Sequence, residues 1–167
     1  MFETLVRFVE TEQSCFDRTL QIGHVTGSAW IVDRSHTKAL LTHHLKLDRW
    51  LQLGGHADGD PDVLRVAMRE AREESGIEHI RPVSEAIFDV DVHPIPARGM
   101  EPRHLHYDVR FLLEADSEAP LVISGESKDL AWMSLTEIAH VTTERSISRM
   151  VTKSLERWNP PATPLRT

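Results

Sequence analysis

The chain is 167 residues long, 40% hydrophobic and 27% charged, the proportions of an ordinary globular protein. At ~150 residues per domain this favours one domain with short tails and argues against collagen-like, coiled-coil or long disordered chains. Nineteen Lys and Arg against 26 Asp and Glu leave a net charge of −7, which disfavours a general binder of nucleic-acid polymers.

Residues 2–20 place Phe2, Leu5, Val6, Val9, Phe16 and Leu20 near helical spacing and predict one or two amphipathic helices. Glu3, Glu10 and Glu12 interrupt the apolar pattern, unlike a secretory signal, and Cys15 reads as a small buried hydrophobe. HVTGSAWIVD (24–33) and KALLTHH (38–44) predict strands about an RSHT turn, and WLQLGG (50–55) a further extended piece. A helix follows from Pro61 to Ser75, stopped by Gly76. Then come a long or bent strand at 80–95, a Pro- and Arg-containing loop, and a strand at 106–115. A strand at 129–135, a short helix at 136–140, a helix at 143–158 and a frayed tail complete the order. Strands on both sides of a central helix imply one mixed α/β domain over 1–160, with a flexible tail at 161–167. No run approaches ~18 apolar residues, so no membrane span is expected and a cytoplasmic location is the simplest reading.

The chemistry concentrates in GGHADGDPDVLRVAMREAREESGI (54–77). Asp60 reads as the N-cap and Pro61 as the first helical residue. Leu64, Ala67, Met68 and Ala71 share the face that should pack on the sheet. Glu70, Glu73 and Glu74 fall at relative angles of about 0°, −60° and +40°, so their carboxylates converge on an adjacent stripe. Such a stripe is either a solvated face relieved by Arg69 and Arg72, or a seat for a hard divalent cation. The preceding Gly54-Gly55 pair, which lets a carbonyl approach a cation closely, favours the cation.

This ordered set resembles the Nudix box, Gly-x5-Glu-x7-Arg-Glu-U-x-Glu-Glu-x-Gly-U, where U is apolar. Gly55 matches its first glycine, and Arg69, Glu70, Ala71, Glu73, Glu74, Gly76 and Ile77 match the rest in register. At average residue frequencies the charged positions and glycine would coincide by chance less than ~10⁻⁵ of the time. One position departs: the first glutamate of the box falls on Pro61, so Asp60 or Asp62 is expected to pair with Arg69 instead. GGHADGD and HLHYD are also similar to a bacterial subgroup of the family.

The resemblance implies an α/β/α sandwich around a mixed sheet and hydrolysis of a nucleotide or nucleoside-diphosphate-linked metabolite with Mg²⁺ or Mn²⁺. By residue-to-residue match, Glu73 and Glu74 become the principal metal ligands. Glu70 joins them or orients a water, and the Gly55 carbonyl is a further ligand. Arg69 and Gly76 are structural within the motif. Glu126, six residues before Trp132, stands where relatives carry a loop glutamate that serves as base. Trp132 itself reads as core. Lys46, Arg98 and Arg103 are candidates to meet phosphate, and His104 and His106, on one face of a strand, to grip phosphate or an extra metal.

Two other readings stay open: a non-catalytic nucleotide-binding or regulatory module, and isoprenyl diphosphate isomerisation. The three helix carboxylates count against the first. The placement of Cys15 in the N-terminal helical stretch counts against the second. Homodimerisation, frequent among relatives, is left open.

Overall fold

The computed structural model describes residues 1–158, so the expected 161–167 tail lies outside the described residues. In chain order the elements are α1 (Phe2–Thr11), β1 (Gly23–Asp33), β2 (Lys38–His44), β3 (Arg49–Leu51), β4 (Leu53–His56) and α2 (Val63–Ser75). They continue with β5 (Arg81–Ile95), β6 (His104–Ala115), β7 (Ser127–Ser134), α3 (Leu135–Val141) and α4 (Arg145–Trp158).

One mixed seven-stranded sheet runs β3-β2-β1-β6-β5, with β4 pairing on β1 and β7 on β2. β1 and β6 are parallel and the other pairs antiparallel. All eleven residues of β1 are buried, as expected of a strand covered on both faces. Its alternation divides the core. Val25, Ala29 and Ile31 face a cluster with Leu5, Phe8, Ala67 and Ala71, under α1 and α2. Trp30 and Val32 face the other, with Ile138, Ile147, Met150 and Val151 of α3 and α4. The result is the expected α/β/α sandwich. No described helix is long and apolar enough to cross a membrane.

One local expectation is narrowed and two change. The N-terminal stretch holds one helix, because the chain beyond Thr11 turns repeatedly: Cys15, Asp17 and Leu20 N–H groups donate back to Glu12, Ser14 and Asp17 carbonyls. The Asp17 side chain accepts from Thr19 N–H at 2.9 Å, a local turn bond that competes with helix. WLQLGG is two strands, since β3 pairs with β2 and β4 with β1, and Gln52 between them turns its amide toward Asp108 and Ser28. The last residues of the Pro- and Arg-containing loop are strand, from His104, because Leu105 and His106 pair with Gly23 and His24 of β1.

Cys15 packs in the first core cluster at 2% exposure, and burial raises its thiol pKa. It is a packing residue, as expected. Trp132 is half-buried against the same cluster.

Candidate active site

Helix α2 begins two residues later than its Asp60–Pro61 start signal. The cap is Asp62, whose carboxylate accepts from Arg65 N–H at 3.0 Å. Asp60 does not cap; it takes the Arg65 guanidinium, at 2.8 and 2.5 Å. Neither aspartate pairs with Arg69, contrary to expectation, because Arg65 lies one turn nearer to both. Arg69 instead donates to the His56 carbonyl at 3.0 Å and pairs with Glu70 at 2.9 Å and more distantly with Glu73 at 3.8 Å. The arginine thus ties the helix to the end of β4 without the glutamate that Pro61 replaces. At the other end Gly76 adopts φ 73°, the left-handed stop.

The helix lies across β4 so closely that Gly55 has no room for a side chain. A Cβ there would stand 2.5 Å from the Glu70 carboxyl carbon and one of its oxygens. Gly54 N–H donates to Glu74 at 3.0 Å. The Gly54-Gly55 pair therefore receives two of the three stripe carboxylates, while Glu73 remains exposed. Burial is the largest influence on both inner groups. It raises the Glu70 pKa, and lifts Glu74 to about 7 despite the Gly54 N–H, with Glu70, Glu126 and Glu73 adding repulsion. Two half-buried carboxylates driven toward their protonated forms suit a hard divalent cation, whose charge would reverse that pressure. The donor chemistry present, the carboxylates of Glu70 and Glu74 against the glycine pair with Glu73 one turn along, is the all-oxygen kind such an ion takes.

Glu126 lies in the loop before β7, exposed, its carbonyl accepting from Leu45 N–H at 2.8 Å. Its charge acts on both Glu70 and Glu74, so the fold brings a residue some fifty positions downstream (126 against 74) to the stripe. Lys46 is exposed in the turn after β2. Arg98 bridges back to Glu101 within the β5–β6 loop, and Arg103 is exposed at its end. These three cations make no contact with the stripe carboxylates.

The opposite face of the sheet holds polar groups that, His104 and His106 apart, sequence reasoning missed. Strand register stacks them in three successive rungs across β5, β6 and β1: His93–His106–His24, Asp91–Asp108–Thr26 and Asp89–Arg110–Ser28. Arg110, 2% exposed, donates to Asp108 at 2.7 Å and to Asp89 at 3.4 Å. Asp108 also accepts from Thr26 at 3.0 Å and Ser28 at 2.7 Å. Arg149 and Lys153 of α4 each reach Asp89 at 2.6 Å, and Arg149 reaches Asp91 at 3.1 Å. Three carboxylates thus meet three cations, the condition under which buried charge is tolerated. The His93 ring nitrogen, 3.2 Å away, together with Arg110 and Arg149, holds the Asp91 pKa down, to about 2. The signal in the sequence was the polar residues at every second position of β1, β5 and β6.

The histidine rung gathers His56 and His104 as well. Burial, with repulsion from neighbouring rings, lowers the pKa of His24 to about 4 and of His106 to about 2, and burial also lowers His56. His104 and His106 do share a face, with Nε2 atoms 3.3 Å apart.

A NUDIX domain model matches residues 24–155. No curated protein matches the chain significantly. Among solved structures, an Ap4A hydrolase of C. elegans in a binary complex superposes with a TM-score of 0.62 at 17% identity, over 77% of this chain and 93% of that one. A NUDIX-family hydrolase from Clostridium perfringens gives 0.60 at 22% identity, over 81% and 97%. The NUDIX domain of Shewanella oneidensis NrtR, complexed with ADP ribose, gives 0.56 at 15% identity, over 92% and 97%. Likeness at these identities is likeness of fold.

Proposed function

Because the chain belongs to the Nudix family, we propose that it is a metal-dependent pyrophosphohydrolase, cleaving the diphosphate of a nucleotide or nucleoside-diphosphate-linked metabolite. The observation that carries this reading is the seating of Glu70 and Glu74 against Gly55 and Gly54, with Glu73 beside them on the same helix face. The names of two fold neighbours, an Ap4A hydrolase and a domain bound to ADP ribose, support the substrate class. The GGHADGD loop and HLHYD strand are consistent with a bacterial subgroup within the family.

A Mg²⁺ or Mn²⁺ ion held by Glu70, Glu73, Glu74 and the Gly55 carbonyl would neutralise the diphosphate and acidify a nearby water. Glu126, facing the stripe from its exposed loop, takes a proton from the attacking water. The water oxygen forms a bond to one phosphorus, the bridging P–O bond breaks, and the bridging oxygen leaves with the electron pair on the departing phosphate. Lys46, Arg98 and Arg103 provide exposed positive charge for the polyanion in an otherwise acidic protein. Arg69 acts as a positioning residue, fixing α2 to the His56 carbonyl.

The test is a hydrolysis screen with Mg²⁺ and with Mn²⁺ over nucleoside triphosphates, oxidised nucleotides, nucleotide sugars, dinucleotides and nucleotide cofactors. Cleavage between phosphates that needs metal and falls ~10²-fold or more in Glu73→Gln is the expected result. Silence across that panel from folded, Mg²⁺-binding protein would turn the reading toward a nucleotide-binding module.

A further inference from the structure

Five of the chain's ten histidines, His24, His56, His93, His104 and His106, meet at one end of the sheet. Register brings them there. His93 and His24 are the direct neighbours of His106 on either side, His104 lies two residues along the same strand face, and His56 is paired to Thr26, one rung from His24. Ring centroids of His24 lie 5.0 Å from His56, 5.0 Å from His104 and 4.8 Å from His106.

The two neighbouring rungs show how this protein treats buried polar groups: the carboxylates, guanidinium and hydroxyls named above are all bonded. His24 breaks the pattern. It is 3% exposed, yet neither ring nitrogen has a hydrogen-bond partner. A buried imidazole always carries at least one group that needs a partner, so simple packing would be served better by an apolar ring. Ring nitrogens of its neighbours border the same space. One ring nitrogen each from His24, His56 and His106 lies within 4.8 Å of the others.

We propose that His24, His56 and His106 bind one borderline-soft divalent cation of the Zn²⁺ class, with His104 closing the fourth position. A triangle of that size puts its centre about 2.8 Å from each corner, and inward movement of ~0.7 Å per ring reaches Zn–N bonding distance. The separation of 3.3 Å between His104 and His106 Nε2 already equals the edge of a tetrahedron with such bonds. Imidazole nitrogens select Zn²⁺, Co²⁺, Ni²⁺ or Cu²⁺ and not Mg²⁺, so this centre differs in hardness from the carboxylate stripe. Half-buried His104 and His106 leave a path for the ion. The bound ion would fix His56, and with it the chain end to which Arg69 ties α2. The site is independent of whether the stripe hydrolyses diphosphates.

Co²⁺ is the probe, added to metal-free full-length protein in excess Mg²⁺ that occupies the carboxylates. The expected result is about one equivalent bound, with the intense visible bands of a low-coordinate nitrogen site, displaced by Zn²⁺. His106→Ala and His24→Ala should weaken Co²⁺ binding ~10²-fold or more, and Glu73→Gln should keep the bands. Should His24→Ala fail to fold, the half-buried His56→Ala and His104→Ala carry the same test. Absence of bands in the parent protein, or bands lost in Glu73→Gln but kept in His106→Ala, would overturn the proposal.

Discussion

The acidic face of α2 and the polar rungs of the sheet are both clusters of ionisable side chains, but they are assembled in opposite ways. The stripe comes from residues three and four apart on one helix, and its charges repel: burial and mutual repulsion lift Glu74 to about 7. The rungs come from β1, β5 and β6, more than sixty residues apart at their extremes, and two of them are neutralised in place by Arg110, Arg149 and Lys153. A cluster left electrostatically unfinished in the folded chain is one built to receive something. A cluster finished by its own counter-charges is one that holds the fold. By that criterion the histidine rung, with His24 unpartnered, belongs with the stripe and not with the rungs beside it.

The contrast breaks most visibly at Arg110. Arg110→Met leaves Asp108, Asp89 and Asp91 short of their buried cation, and should cost ~3–5 kcal/mol in urea unfolding. A loss under ~1 kcal/mol would show the network to be far better solvated than its 2% exposure at Arg110 indicates.

The stripe should behave in the opposite sense. The Glu74 carboxyl sits at about 7 in the folded protein against an ordinary 4.5, so the folded state favours its protonated form. Its contribution to stability is whole below about pH 4.5 and is lost as pH rises through about 7. Mg²⁺ binds the ionised form, so saturating Mg²⁺ should remove that decline and its affinity should grow as pH rises to about 7. Thermal melts from pH 5 to 8, with and without Mg²⁺, check both signs. In Glu74→Gln the metal-free decline assigned to this group should disappear.

The smallest effect sharpens the boundary of the site. Asp62→Ala removes the α2 cap and should cost ~1 kcal/mol with hydrolysis unchanged, since Asp62 engages Arg65 and not Arg69. A fall in hydrolysis without a matching fall in stability would place the cap inside the catalytic arrangement.

What could be read from the amino acids follows the same division. Helix spacing placed Glu70, Glu73 and Glu74 on one stripe, Gly76 marked the stop, and alternating strands around a central helix implied the sandwich. These are consequences of backbone periods of 3.6 and 2, which act over a few residues. The errors were also local, and competition explains them. Asp62 outdid Asp60 as cap because Asp60 took the Arg65 side chain, and the helix stopped at Thr11, with turns through Asp17 where Phe16 and Leu20 had suggested more helix.

Tertiary structure decided what long-range pairing alone can bring together. His104 and His106 were visible as a pair on one strand face, but not that parallel pairing with β1 sets them against His24. Nor did the chain's order reveal that β4 would bring His56 to the same end. Periodicity determines which face of a strand a residue occupies. Only the register between strands, set where both sheet faces are buried, determines which residues stand beside it.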